Sequence, residues 1–209
     1  MTHRPPRRRS GGPRRWIGLA SVSLVLGACS TPGPAISGGT PSSSAPLPFA
    51  TLIRAGITLS ARGDVNGALQ LFEQAVKSNP ASPLGYYNLG VVYQGAGDTR
   101  DALRQYRKAL TADPRYVPAI FNQAIIIARS NAPLAIFFYR QIIHFQPDSP
   151  TAFLNLGLLE NQSKGLHPQA RRDLARAVQL DPSLRGSIPR PLLAGLPAAL
   201  QGRGRAARR

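Results

Sequence analysis

The chain has 209 residues, which is room for one ordinary domain or a short repeat array. Its 26 Lys and Arg against 9 Asp and Glu give a formal net charge of +17. One cysteine and three scattered histidines (His3, His144, His167) exclude a disulfide framework and a multi-cysteine or histidine-built metal centre. A hydrophobic fraction of 43% excludes wholesale disorder. The charge is uneven. Six arginines stand within residues 1–15 and six more after residue 182, whereas 49–182 carries a net charge of only +5.

In chain order, residues 1–28 read as a signal peptide. Arg4 to Arg15 form a basic leader, and Trp16 to Ala28 is an uncharged apolar run of thirteen residues. That run suits a secretory segment and falls short of the ~20 residues that span a bilayer. It ends in Leu26-Gly27-Ala28-Cys29, which resembles the lipobox of bacterial lipoproteins. The resemblance implies cleavage before Cys29, acylation of its thiol, and a stable membrane anchor from two or more acyl chains. Residues 29–48 consist of the acylated cysteine and a Ser-, Pro- and Gly-rich stretch too poor in apolar side chains to fold, expected to be a flexible tether.

From residue 49 a period of about 34 residues takes over. Pro80, Pro114, Pro147 and Pro182 are spaced 34, 33 and 35 apart. Small residues recur at Gly56, Gly90, Ala124 and Gly157, and again at Ala68, Ala102, Ala135 and Ala170. Phe72, Tyr106, Tyr139 and Leu174 stand four residues after that second set. Apolar spacing of this kind predicts two helices of about fourteen residues per unit, the small positions permitting close approach. Gly63-Asp64 and Gly97-Asp98 predict turns within units, and Ser82-Pro83 and Ser149-Pro150 predict an N-cap followed by proline in the first turn. Pro133 and Pro168 are expected to open second helices in the same way.

The pattern resembles the tetratricopeptide repeat (TPR) family, most closely over 83–116, with four units at about 49–82, 83–116, 117–149 and 150–184. Gln123 and Glu160 depart from it, standing where leucine and tyrosine are usual; the second is expected to soften the packing of the fourth unit. The resemblance implies an all-α solenoid of 49–182 whose concave groove is lined by the first helix of each unit. Carried across residue by residue, that groove holds Ile53, Ile57, Leu84, Tyr87, Asn88, Val91, Phe121, Asn122, Ile125, Leu154, Asn155 and Leu158. Tyr87 and Phe121 are expected to project into it rather than between helices. Asn88, Asn122 and Asn155 recur at one position, where they either bond a ligand backbone or serve packing. Residues 185–209 read as a capping helix over Pro191–Leu200 and a basic tail; the apolar part either caps the last unit or occupies the groove.

No catalytic constellation, cofactor motif or metal set stands out, since the nine carboxylates lie scattered or in turns and His144 and His167 read as structural or solvated. The expected function is therefore a non-enzymatic, lipid-anchored adaptor of the bacterial cell envelope that binds an apolar peptide or helix. In a bacterium with two membranes the expected site is the outer membrane, facing the periplasm. The layout is similar to that of tetratricopeptide lipoproteins of type IV or Tad pilus assembly. The alternative is a binder of anionic polymer or membrane surface through the basic ends. Against that alternative, six arginines would leave with the signal peptide, and nucleic acid is disfavoured as a partner because a cytosolic function would contradict the export signal.

Overall fold

The structure, a computed structural model, describes residues 47–201. The signal segment, Cys29, the tether up to residue 46 and the arginines beyond residue 201 lie outside the described residues. Eight helices follow one another: α1 Phe49–Ala61, α2 Val65–Ser78, α3 Pro83–Gly95, α4 Thr99–Ala112, α5 Val117–Ile127, α6 Ala132–Phe145, α7 Pro150–Lys164 and α8 Pro168–Leu180. No strand occurs among the described residues.

Local chemistry sets most of the boundaries. Gly63, Gly97 and Gly165 hold φ of 82°, 83° and 76°, a left-handed conformation that glycine adopts without penalty. Asp64, Asp98 and Asn131 then accept the backbone N–H of Gly67, Asp101 and Leu134 at 2.9, 3.1 and 3.1 Å. Such caps satisfy a donor that the first helical turn leaves unpaired. Ser82 caps α3 through Leu84 N at 3.4 Å. Ser149 occupies the N-cap of α7 but its hydroxyl makes no capping bond, so Pro150 in the first turn carries that boundary.

Each odd-numbered helix packs against the even one after it, and each even helix packs against the next odd one. The result is an all-α solenoid of four helix-turn-helix units. Ala68, Ala102, Ala135 and Ala170 are fully buried at the crossings, with Phe72, Tyr106, Tyr139 and Leu174 beside them. The small residues facing those crossings are needed for contact. A Cβ built on Gly90 would lie 2.5 Å from Cε1 of Tyr106, and one on Gly56 would lie 2.6 Å from Cε1 of Phe72. Tyr106 cannot yield easily, because its hydroxyl donates to Gln94 Oε1 at 2.6 Å and accepts from Asn122 Nδ2 at 3.2 Å. Gly90→Ala is therefore expected to cost about 1–3 kcal/mol by overpacking. Gly95→Ala, with open space around its Cβ, is expected to stabilise by a few tenths up to about 1 kcal/mol. Melting of the two variants, followed by circular dichroism, should move in opposite directions.

The C-terminal segment differs from the single capping helix expected from sequence. It forms a 3-10 turn at Pro182–Ser187, a five-residue helix α9 at Arg190–Ala194, and a second 3-10 turn at Ala198–Leu200. Pro191 and Pro197 lack the N–H that a continuous helix would use, and Gly195 falls between them, so the helix stops after little more than one turn. The segment nonetheless covers the end of the solenoid. Ile188 and Leu196 are buried against Leu154, Leu158, Leu174 and Val178. Arg185 Nε donates to the Leu200 carbonyl at 2.8 Å, and Gln201 Nε2 donates to the Leu196 carbonyl at 2.7 Å.

Candidate protein-binding groove

The first helices place eleven of the twelve groove residues in three columns, two spanning all four units and one, of asparagines, spanning the last three. Ile53, Tyr87, Phe121 and Leu154 form the first column. Ile53 is buried against Leu89 and Val92 of the next unit, and Leu154 against Leu174 and the C-terminal segment. Phe121 is 3% exposed, with its ring 5.8 Å from that of Tyr139 in an edge-on contact. The expectation that Phe121 projects into the groove is therefore corrected: it stands between helices. Of the first helices, α1 contacts α3 directly, and Phe121 is covered by Tyr139 of α6. Only Tyr87 remains half-buried in this column.

The second column is Ile57, Val91, Ile125 and Leu158. The first three are half-buried, and Leu158 is buried by the C-terminal segment. Leu84, one turn before Asn88, is also half-buried. A shallow pocket of about 90 Å³ lies between the first two units, lined by Ile57, Ser60, Ala61, Phe72, Asn88, Val91 and Val92. The half-buried apolar residues of the expected groove are thus Ile57, Leu84, Tyr87, Val91 and Ile125, a shorter strip than the continuous one expected over four units.

The asparagine column works mostly inside the protein. Asn88 Nδ2 donates to the Leu84 carbonyl at 2.8 Å, one turn back in α3. Asn122 ties α5 to the Tyr106 hydroxyl and remains half-buried. Asn155 is fully buried; it opposes the rise that burial causes in the pKa of Tyr139, yet neither side chain reaches hydrogen-bond geometry. Asn155 is thus closed to a ligand backbone, whereas Asn88 lines the shallow pocket. The Tyr87 ring meets that of Tyr116 edge-on at 5.4 Å and lies tilted 6.0 Å from that of Tyr106, and burial pushes the Tyr116 hydroxyl up to about 12. These phenols stay neutral across the physiological range and act as hydrogen-bonding and apolar surface.

A second constellation was not legible in the sequence. Glu160 is 3% exposed, and its Oε1 accepts from Arg140 Nη2 at 2.6 Å, joining α7 to α6. The tyrosine position therefore does not simply loosen the fourth unit; it carries an inter-unit ion pair. His167 caps α8 by accepting from Gln169 N and Ala170 N at 3.2 and 3.4 Å through Nδ1, and its Nε2 lies 3.8 Å from Glu160 Oε2. Asp173 is buried nearby, with Gln169 Nε2 donating to both of its oxygens at 3.1 Å. Desolvation raises its pKa, the Gln169 bond opposes that rise, and the Glu160 charge adds to it. A carboxyl whose pKa is raised on folding stabilises fully below its unfolded value and loses that contribution as pH rises through the folded value. Asp173→Asn, which keeps an acceptor for Gln169, is therefore expected to raise the melting midpoint at pH 7. The gain should vanish below the ordinary carboxyl value of 3.8.

No three or more His, Cys, Asp or Glu side chains gather into a metal-binding group among the described residues, and no described helix is long and apolar enough to cross a membrane.

Comparison with known proteins agrees with this architecture. A model described as TPR repeat matches residues 58–97, and one described as tetratricopeptide repeat matches 83–116. Residues 58–116 thus match tetratricopeptide repeats, and repeats of this kind are scaffolds for protein–protein interaction. No curated protein sequence matches the chain significantly. Among solved structures, PilF of Pseudomonas aeruginosa is 24% identical, covering 70% of this chain and 68% of its own, with a TM-score of 0.61. A thermophilic TPR protein of Thermus thermophilus is 23% identical over 71% of this chain and 82% of its own, with a TM-score of 0.56. MamA of Desulfovibrio magneticus is 21% identical over 68% of this chain and 81% of its own, with a TM-score of 0.59. At these identities the likeness shows the fold.

Proposed function

We propose that the protein is a non-enzymatic adaptor, held at the bacterial cell envelope by lipid on Cys29, whose groove captures an apolar peptide or amphipathic helix of a protein partner. The observation that carries this reading is the half-open strip of Ile57, Tyr87, Val91 and Ile125. It presents apolar anchors from three successive units beside a shallow pocket. Helix-in-groove recognition uses a few anchors of this kind. Capture needs no catalytic group. The lipobox-like Leu26-Gly27-Ala28-Cys29 and the Ser/Pro-rich tether support the anchor. The same layout of lipobox, tether and repeats supports a narrower reading, in which the partner belongs to a pilus or secretion system under assembly.

Two measurements test the proposal. Intact-mass analysis of membrane-extracted protein should show an acylated Cys29 as the first residue, and Cys29→Ser should abolish that species. A photo-crosslinking amino acid at Ile57 or Ile125 should trap one discrete polypeptide in living cells. The same probe at Gln70, exposed on α2, should not trap it. Identical products from all three sites would exclude the groove as the binding surface, and an unmodified Cys29 would exclude the lipid anchor.

A further inference from the structure

The outer wall, formed by the second helix of each unit, changes character along the solenoid. In α2 it carries one acid and one base, Glu73 and Lys77. In α4, α6 and α8 it carries eight Arg and Lys against only Asp101 and Asp173, and Asp173 is buried. By contrast, α3 and α5 on the inner wall contain no charged residue. In the middle of this cationic wall α6 exposes two apolar side chains one turn apart, Leu134 at 39% and Phe137 at 57% exposure. Phe137 is the most exposed large apolar side chain among the described residues.

The repeat register places that crest with respect to the charges. Two residues beyond the buried alanines Ala102, Ala135 and Ala170 stand Arg104, Phe137 and Arg172, all exposed. In the repeat register the aromatic ring therefore stands between an arginine of the unit before it and one of the unit after it. Arg107 in α4 and Arg171 in α8 are likewise exposed. Part of the charge is compensated: Arg104 pairs with Asp101 at 2.8 Å, Arg140 with Glu160 and Arg176 with Asp148 at 3.3 Å. Arg172 Nη2 donates to Gln169 Oε1 at 2.7 Å and its charge acts on Asp173, whereas Arg107 and Arg171 form no ion pair among the described residues.

We propose that this convex face docks on an anionic lipid bilayer, with Phe137 and Leu134 seated among the headgroups and the flanking arginines on lipid phosphates. A cationic surface with an apolar crest is the arrangement that lies in a membrane interface, where buried apolar area and attraction to anionic lipid add together. A second copy of the chain fits poorly, since two such faces repel. A nucleic acid would use the arginines but gains nothing from the aliphatic Leu134. This docking is independent of the groove. It would leave the concave side facing away from the membrane and open to a partner.

The test uses the full chain with Trp16→Phe and Phe137→Trp, so that residue 137 carries the only indole. The protein is reconstituted from detergent into vesicles of phosphatidylcholine alone or with phosphatidylglycerol, each with or without acyl-brominated lipid. The expected result is a blue-shifted emission, quenched by brominated lipid, in phosphatidylglycerol vesicles only. The matching probe at Gln70→Trp, the same register in the first unit, should stay unshifted and unquenched. Adding Arg107→Glu and Arg171→Glu should return the indole at 137 to its phosphatidylcholine emission, with the circular dichroism spectrum unchanged. Equal quenching at 70 and 137, equal quenching in both lipids, or none at 137 overturns the proposal. So does a DNA oligonucleotide that shifts the indole at 137 and releases it from the vesicles at the same salt. None of these outcomes bears on crosslinking from Ile57 or Ile125.

Discussion

Shortening Ile188 and Leu196 to alanine together is expected to unfasten the end of the solenoid, at a cost of about 4–10 kcal/mol. Each removes a buried branched side chain from the cluster of Leu154, Leu158, Leu174 and Val178, and a Leu or Ile to Ala change in a core costs about 2–5 kcal/mol. Whole-domain stabilities are about 5–15 kcal/mol, so the loss takes a large share. In a repeat array each unit is stabilised mainly by its neighbours. The damage should therefore be local. Amide hydrogen exchange should accelerate in α7 and α8 while α1 to α4 keep their protection. Uniform acceleration, or none, would mean that the C-terminal segment does not act as a cap. The same variant uncovers Leu154 and Leu158, which would lengthen the open apolar strip into the fourth unit.

Phe121→Ala is expected to cost about 3–5 kcal/mol, the range for emptying a buried phenylalanine site. For a chain of this size that lowers the melting midpoint by on the order of 10 °C. The ring sits against Tyr139 among Ile120, Ala124, Leu156 and other members of the central cluster, so truncation leaves a cavity shared by the third and fourth units. Val91→Ala, on the half-open column, is expected to cost about 1 kcal/mol, because its side chain is only partly withdrawn from water. The contrast separates residues that build the groove from residues that face into it. Equal shifts for the two variants would mean that Phe121 is not the inter-helix wedge described above.

The cluster at the fourth unit explains how this solenoid accommodates a carboxylate where its repeat pattern usually has an aromatic ring. Glu160 is tolerated because Arg140, twenty residues earlier, supplies a short charge-assisted bond while keeping its own outer edge in water. Asp173 is held by Gln169 one turn before it, and that bond only partly offsets the cost of burying the charge. The first pair joins two units, whereas the second lies within α8.

Several features were determined by the sequence alone. The period of Pro80, Pro114, Pro147 and Pro182 and the buried alanines four residues before an aromatic or leucine specify paired helices, because helical spacing and side-chain size are properties of nearby residues. The turns were legible for the same reason. Gly63-Asp64 and Gly97-Asp98 combine a left-handed glycine with a capping carboxylate within four residues of the bond they make. The tertiary structure decided which apolar side chains stay open. An apolar stripe on α5 or α7 marks a face, but the neighbour that covers it comes from another element of the chain. That neighbour is α6 and its Tyr139 for Phe121, and the broken C-terminal segment for Leu154 and Leu158. The Arg140–Glu160 pair and the exposed Phe137 between Arg104 and Arg172 arise likewise only when units are stacked. Helical pattern is a one-dimensional property of the chain, whereas burial is set by packing between elements distant along it.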